Sequence, residues 1–140
     1  MQKTEFIVHK HEAKRAGLHY DLRIKLKSNK WASFVVRRGI PEKMGEKVLA
    51  IRTNDHSNEQ ALMKGDIESG YGAGKLTEFD KGKCVIEKMS EPHIVIFLHG
   101  RKFKGRYHLV STKMIGRSSK YANKKIRQYM IFKAKDQSKL

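Results

Sequence analysis

Leu18-His19-Tyr20-Asp21-Leu22-Arg23-Ile24-Lys25-Leu26 alternates apolar and polar residues without a break. Successive side chains of a β-strand point to opposite faces, so this period of two predicts a strand that buries Leu18, Tyr20, Leu22, Ile24 and Leu26. Ser28-Asn29 supplies a turn, and Trp31-Ala32-Ser33-Phe34-Val35-Val36 returns as the hairpin partner. Working outward, a short apolar run lies at 6–8, and further strands are expected at 48–53, 75–79, 84–87, 93–98, 106–111 and 128–133. β-Branched and aromatic residues are frequent in these segments. No stretch sustains the i, i+3, i+4, i+7 stripe of an amphipathic helix; one short helical turn is expected near 58–63. Turn chemistry separates the strands, at Arg38-Gly39-Ile40-Pro41, at 65–74 and in a polar, basic loop at 116–127. The pattern predicts a mainly all-β fold, an antiparallel sandwich or closed barrel with long connecting loops.

The chain has 140 residues, which is the size of one compact domain covering 1–140. Lys and Arg number 31 against 14 Asp and Glu, a formal net charge of +17. That excess draws polyanions to the surface, and nucleic acid is the obvious one, bound through its phosphates. The lone cysteine, Cys84, excludes a disulfide framework and a multi-cysteine zinc site, and its apolar neighbours predict a buried thiol. Residues 1–10 hold no signal-peptide core, and the longest apolar run, 94–98, is far too short to span a bilayer. A soluble, intracellular, cytoplasmic protein with no membrane partner is expected.

The same alternating stretch carries the candidate chemistry. His19, Asp21 and Arg23 share one face, about 6–7 Å apart along the strand. An imidazole and a carboxylate at that pitch can converge on one ion, and His11, before a short connection, can swing in as a third ligand. Two imidazoles and one carboxylate suit a divalent transition metal with positions left open for water and substrate oxygen. Arg23, one step along, is placed to fork onto phosphate oxygens. The alternative is that these residues are merely the solvated face of an ordinary strand.

Lys10-His11-x-Ala13 followed by Leu18-His19-Tyr20-Asp21-Leu22-Arg23 resembles the signature of the 3′-phosphoesterase domain of DNA ligase D. The likeness continues through Val35-Val36-Arg37-Arg38-Gly39, Leu49-Ala50-Ile51, Asp55-His56, Gly70-Tyr71-Gly72-Ala73-Gly74, Leu98-His99-Gly100 and Met130-Ile131-Phe132-Lys133, in family order. The resemblance implies a β-barrel that holds one divalent ion, usually manganese, and hydrolyses 3′-phosphates or removes a 3′-terminal ribonucleotide during DNA end repair. It implies metal ligation by His11, His19 and Asp21, phosphate contact by Arg23 and His56, and a functional cation at Arg38, where the family has lysine. It further implies a monomer acting on DNA or RNA–DNA primer-template 3′ ends, with a separate ligase and polymerase as partners. Candidate nucleic-acid contacts are Arg15, Lys47, Arg52 and Tyr71, together with Lys120, Lys124, Lys125 and Arg127 of the basic loop. Ala16-Gly17 lengthens the interval between His11 and His19, Asn54 replaces a glutamate, Gln60 a tyrosine and Val48 an arginine. The sequence starts just upstream of its first strand, so the basic arm that precedes the bacterial modules is not expected.

Other readings compete at single positions. His9 is assigned to the face opposite His11, as a structural or solvated residue. His93, His99 and His108 are read as packed or surface residues. Tyr71 either stacks on a base or plugs a barrel end. The glycine stretch lacks the Gly-Lys-Ser/Thr ending of a P-loop. The rival class for the whole chain is a non-catalytic basic β-barrel that binds nucleic acid; a ribosome-associated barrel rests on charge alone.

Overall fold

A computed structural model describes residues 1–67, 73–90, 92–114 and 127–138. Its strands are β1 (Gln2–Ala13), β2 (Gly17–Lys25), β3 (Trp31–Val36), β4 (Lys47–His56), β5 (Gly65–Ile67), β6 (Gly74–Ser90), β7 (His93–His99), β8 (Lys104–Met114) and β9 (Arg127–Lys133), with one helix, α1 (Asn58–Leu62). The sheet runs β1-β2-β3-β4-β9-β8-β7-β6-β5, every neighbour antiparallel, and β1 also pairs with β6. That last pairing closes eight strands into a barrel and leaves β5 as a short flap on β6. Closure removes the exposed edges that an open sheet would offer to other chains.

Leu22 and Ile24 of β2 point inward, as the alternation requires, and meet Phe6, Val8, Phe34, Ile96, Leu109, Tyr129 and Ile131 from strands around the barrel. Leu18, at the barrel end, stays exposed. The outer face of β2 departs from a solvated face: His19, Asp21 and Arg23 are buried as well. The cover comes from α1 and the strands beside it. Ile7, Trp31 and Ala61 form a second small apolar cluster outside the barrel, beneath α1. Ser57 caps α1 by accepting from the Gln60 backbone N–H, while the Gln60 side chain accepts from the Ser57 N–H, a reciprocal capping box. The Trp31 indole donates to Asn58 Oδ1 at 2.6 Å and pins the first turn to β3.

Several boundaries differ from the sequence expectation. β1 extends well beyond 6–8, because alternate residues of its polar stretches still face buried surroundings. The separate strands expected at 75–79 and 84–87 are one strand of 17 residues. Asp80-Lys81-Gly82 looks like a turn, but the strand bends there through a register shift against Val8 and His9. Gly82 passes so close to the end of β7 that a Cβ would collide with the His99 carbonyl. β5 is too short for any periodicity to reveal it. The expected loop at 116–127 and the core of the glycine stretch at 68–72 lie outside the described residues, apart from Arg127, which begins β9.

Candidate active site

The register of β1 against β2 sets His11 opposite His19, His9 opposite Asp21 and Ile7 opposite Arg23. Directly opposed residues of an antiparallel pair project from the same side, so five polar side chains, His9, His11, His19, Asp21 and Arg23, meet on one patch of the outer face. The extra residues Ala16-Gly17 are absorbed in the β1–β2 turn, where Gly17 adopts a φ of +77°, and His11 keeps its place beside His19.

His11, His19 and Asp21 each present one ligand atom, all within 4.8 Å of one another. His11 Nδ1 lies 3.4 Å from Asp21 Oδ2, and His19 Nε2 lies 3.4 Å from Asp21 Oδ1. These separations exceed good hydrogen bonds. They match donors around a cation with bonds of about 2.1 Å, which sit roughly 3–3.4 Å apart. The tautomer points the same way. His19 Nδ1 lies 3.3 Å from the Gly17 carbonyl, which can only accept, so Nδ1 carries a proton there. Nε2 is then the nitrogen that faces Asp21 Oδ1, and a metal ion between them would take a lone pair from each. The donor set therefore fits a divalent ion. Burial works to raise the Asp21 carboxyl, but the His19 imidazole, the Arg23 guanidinium and His11 more than offset it and hold it below the ordinary carboxylate range.

Arg23 is 6% exposed and closes the patch. Its Nη1 donates to His9 Nδ1 at 3.0 Å and to the Gln60 carbonyl at 3.3 Å, and Nη2 lies 3.5 Å from Asp21 Oδ2. Its Nε has no hydrogen-bond partner among the described residues. Burial lowers the Arg23 pKa and Asp21 raises it, but a guanidinium remains charged in either case. The expectation for His9 needs correction: residues two apart on a strand share a face, and His9, 1% exposed, sits behind Arg23 as the acceptor for its fork. Burial first, then the Arg23 charge, pushes this imidazole down to about 4, which keeps it a neutral acceptor. The strand period, followed from His11 to His9, was the signal that could have found it.

The patch forms the floor of a cleft of about 520 Å³, within the range of small-ligand sites. His56, at the end of β4, lines the same cleft with Asn54, Thr53 and Ser33. His56 Nδ1 donates to the Asn54 carbonyl at 2.9 Å, leaving Nε2 for another partner. Burial, then Arg23, lowers its pKa from the ordinary histidine value. A larger hollow, about 650 Å³, lies near Lys3, Lys25 and Lys83 but lacks a comparable donor cluster.

The remaining expected residues stand apart. Arg38 is exposed in the turn after β3 and does not line the cleft. Arg15 is exposed in the β1–β2 turn. Lys47 starts β4, some nine residues or roughly 30 Å along the strand from His56, with its ammonium over the Phe132 ring. Arg52 lies against the Phe34 ring and 3.4 Å from Asp55. Tyr71, Lys120, Lys124 and Lys125 lie outside the described residues. His93 and His108 stack on each other on the outer wall of β7 and β8, and Cys84 is buried, its thiol pushed up to about 12 by that burial.

A small antiparallel barrel thus gathers a His/His/Asp donor cluster and a buried arginine in one open cleft. Residues 9–111 match the DNA ligase D 3′-phosphoesterase domain, and the chain belongs to that family. It is 37% identical over 121 residues to the multifunctional non-homologous end joining protein LigD of Mycolicibacterium smegmatis, covering 78% of this chain and 16% of that protein. The LigD of Pseudomonas aeruginosa is 34% identical over 137 residues, covering 94% of this chain and 15% of the relative. The corresponding DNA repair protein of Mycobacterium tuberculosis H37Rv is 38% identical over 112 residues, covering 76% of this chain and 14% of the relative. The chain thus matches about a sixth or less of the length of these relatives. Among the described residues no helix is long and apolar enough to cross a membrane.

Proposed function

We propose that this chain is a divalent-metal-dependent 3′-phosphoesterase that clears 3′-phosphates from DNA or primer-template ends in end repair. The observation that supports it is the convergence of His11, His19 and Asp21, with Arg23 beside them, in the cleft of a chain of this family. A manganese ion held by His11, His19 and Asp21 would polarise a phosphate oxygen and offset charge that develops in the transition state. The protein supplies the rest. Arg23 faces the phosphate with a fork fixed from behind by His9 and the Gln60 carbonyl, so little orientation is lost on binding. His56 offers Nε2, and a phosphate dianion beside it would raise its proton affinity and make it a donor to the phosphate. Asn54 and Gln60 favour the monoesterase step over ribonucleotide removal: the Gln60 side chain is spent on the helix cap, where a tyrosine would leave a hydroxyl free. Arg38, with Arg15, Lys47 and Arg52, would hold the strand's backbone rather than the transferred phosphate. The product 3′-hydroxyl is the end that a separate ligase or polymerase requires.

The experiment is phosphate release from a 3′-phosphate primer-template with and without Mn²⁺. Release should need the ion, and His19→Ala and Asp21→Ala should each cut it by at least about 100-fold while the thermal melt of the fold persists. Full turnover in either variant would sink the ligand assignment. DNA binding with no release under any divalent ion would favour the non-catalytic module.

A further inference from the structure

The walls of the cleft do not share one chemistry. Above Arg23 on β2, Ser33, Thr53, Asn54 and His56, with Val35 among them, come from β3 and β4, whereas Ala13, Leu76, Ile67 and Met63 come from β1, β6, β5 and the residue after α1. The apolar side continues to the rim: Met63 is 46% exposed, and its neighbour Leu62 56%. Scattered exposed apolar residues are ordinary on a protein surface. Here Leu62 ends α1, Met63 follows it and Ile67 ends β5, three apolar residues within six positions, of which Met63 and Ile67 line the cleft. The helix stops at Leu62 because Met63 turns to an extended conformation, with φ −64° and ψ 139°. A free inorganic phosphate would use only the polar wall. An ester whose alcohol carries a flat apolar face would use both.

We propose that the Met63–Ile67 wall is a base-binding subsite, on which the nucleobase of the 3′-terminal nucleotide rests while its phosphate lies against Arg23. The inference depends on the cleft receiving a 3′-phosphate end, as proposed above, and adds which part of that end is recognised. A base is the fitting occupant because the chain's +17 charge favours a polyanion, and the polar wall already accounts for the phosphate. A thioether is soft and polarisable and makes favourable contacts with aromatic rings. Every base has such a face, so the subsite discriminates a base from no base and tolerates any sequence. Ile67, β-branched on β5, gives the wall a stiff second contact.

The test uses binding, so it does not depend on turnover. Non-hydrolysable 3′-methylenephosphonates of thymidine and of the abasic sugar 1,2-dideoxyribose are titrated calorimetrically into the Mn²⁺-loaded chain. The thymidine analogue should bind about tenfold more tightly than the abasic one, the order expected for one base contact. Met63→Ala should bring that ratio to within about threefold, and Met63→Phe should restore it. Equal affinities in the wild type, or an unchanged ratio in a folded Met63→Ala, would overturn the subsite. Phosphate release is measured separately: a ratio near ten without release keeps the subsite and removes the esterase, and release without a ratio does the reverse.

Discussion

Arg23 is tied to three neighbours inside the fold, and the tie to His9 is the shortest. A guanidinium can only donate, so His9 must present a bare nitrogen to it, and no other tautomer serves. Replacing His9 with alanine leaves Nη1 without that acceptor and lets the fork swing. We expect His9→Ala to lower kcat/KM for 3′-phosphate release by about 10- to 100-fold, chiefly through positioning, and His9→Gln to recover much of it by restoring an acceptor oxygen. Unchanged kinetics in His9→Ala would show that Arg23 needs no such support. On β6, opposite Val8, Asp80 has a structural task. Its buried carboxylate accepts from the backbone N–H groups of Arg101, Lys102 and Phe103 at 2.9, 3.0 and 2.9 Å, and Gly100 packs against it so closely that a Cβ would strike Oδ2. Asp80→Ala abandons three donors at once and should cost about 3 kcal/mol in urea unfolding. A loss under about 1 kcal/mol would mean that water replaces the carboxylate freely.

Elements position these residues, and they were unequally legible. The strand at 31–36 was readable to the residue, because Trp31-Ala32-Ser33-Phe34-Val35-Val36 is apolar on both faces and bounded by turn residues. The two-residue period likewise put His19, Asp21 and Arg23 together. It could not show that their face is covered, since much of the cover comes from α1, which lies in distant and weakly patterned sequence. Nor could it show that β6 stays one strand through Gly82, which depends on how closely the end of β7 approaches. Arg38 sits in a motif whose neighbours follow the family, and the structure leaves it exposed in the turn after β3, outside the residues that line the cleft. Across β6 and β8, Arg106 clamps Glu87 with Nε at 2.5 Å and Nη2 at 2.8 Å. The Arg106 hydrogen bonds hold the Glu87 carboxyl below the ordinary glutamate range. A depressed carboxyl binds its proton less readily when folded, so this stabilisation is present at neutral pH and fades as pH falls through the folded-state pKa. Glu87→Gln should therefore cost about 1 kcal/mol at pH 7, allowing for solvent screening, and the gap from wild type should close in acid. A gap that stays constant to pH 3 would assign the cost to packing instead.

At the scale of the molecule, the barrel separates two tasks. Its interior is sealed by apolar residues from all eight strands, so the outer face of β1, β2 and β3 can carry a polar site without breaching the core. The +17 charge is not concentrated in the cleft floor, where Asp21 sits among His11, His19 and Arg23; Lys47, Arg15 and Arg38 lie on the exposed surface away from it. Affinity for the duplex and chemistry at its end should therefore respond differently to salt. Each phosphate neutralised by a surface cation releases condensed counterions, so log K against log salt falls with a slope of about −0.9 per contact on B-DNA. With roughly five to seven contacts the slope should lie between about −4.5 and −6.3. At saturating DNA, the rate of phosphate release should change far less over the same range, because Arg23 and Asp21 interact at short range in a buried setting that mobile ions barely screen. The measurement is fluorescence anisotropy of a 3′-phosphate primer-template from 50 to 300 mM salt, paired with single-turnover release at each concentration. Binding that ignores salt would remove the electrostatic account of the +17 charge. A release step that falls as steeply as binding would place the exposed cations in the reaction itself.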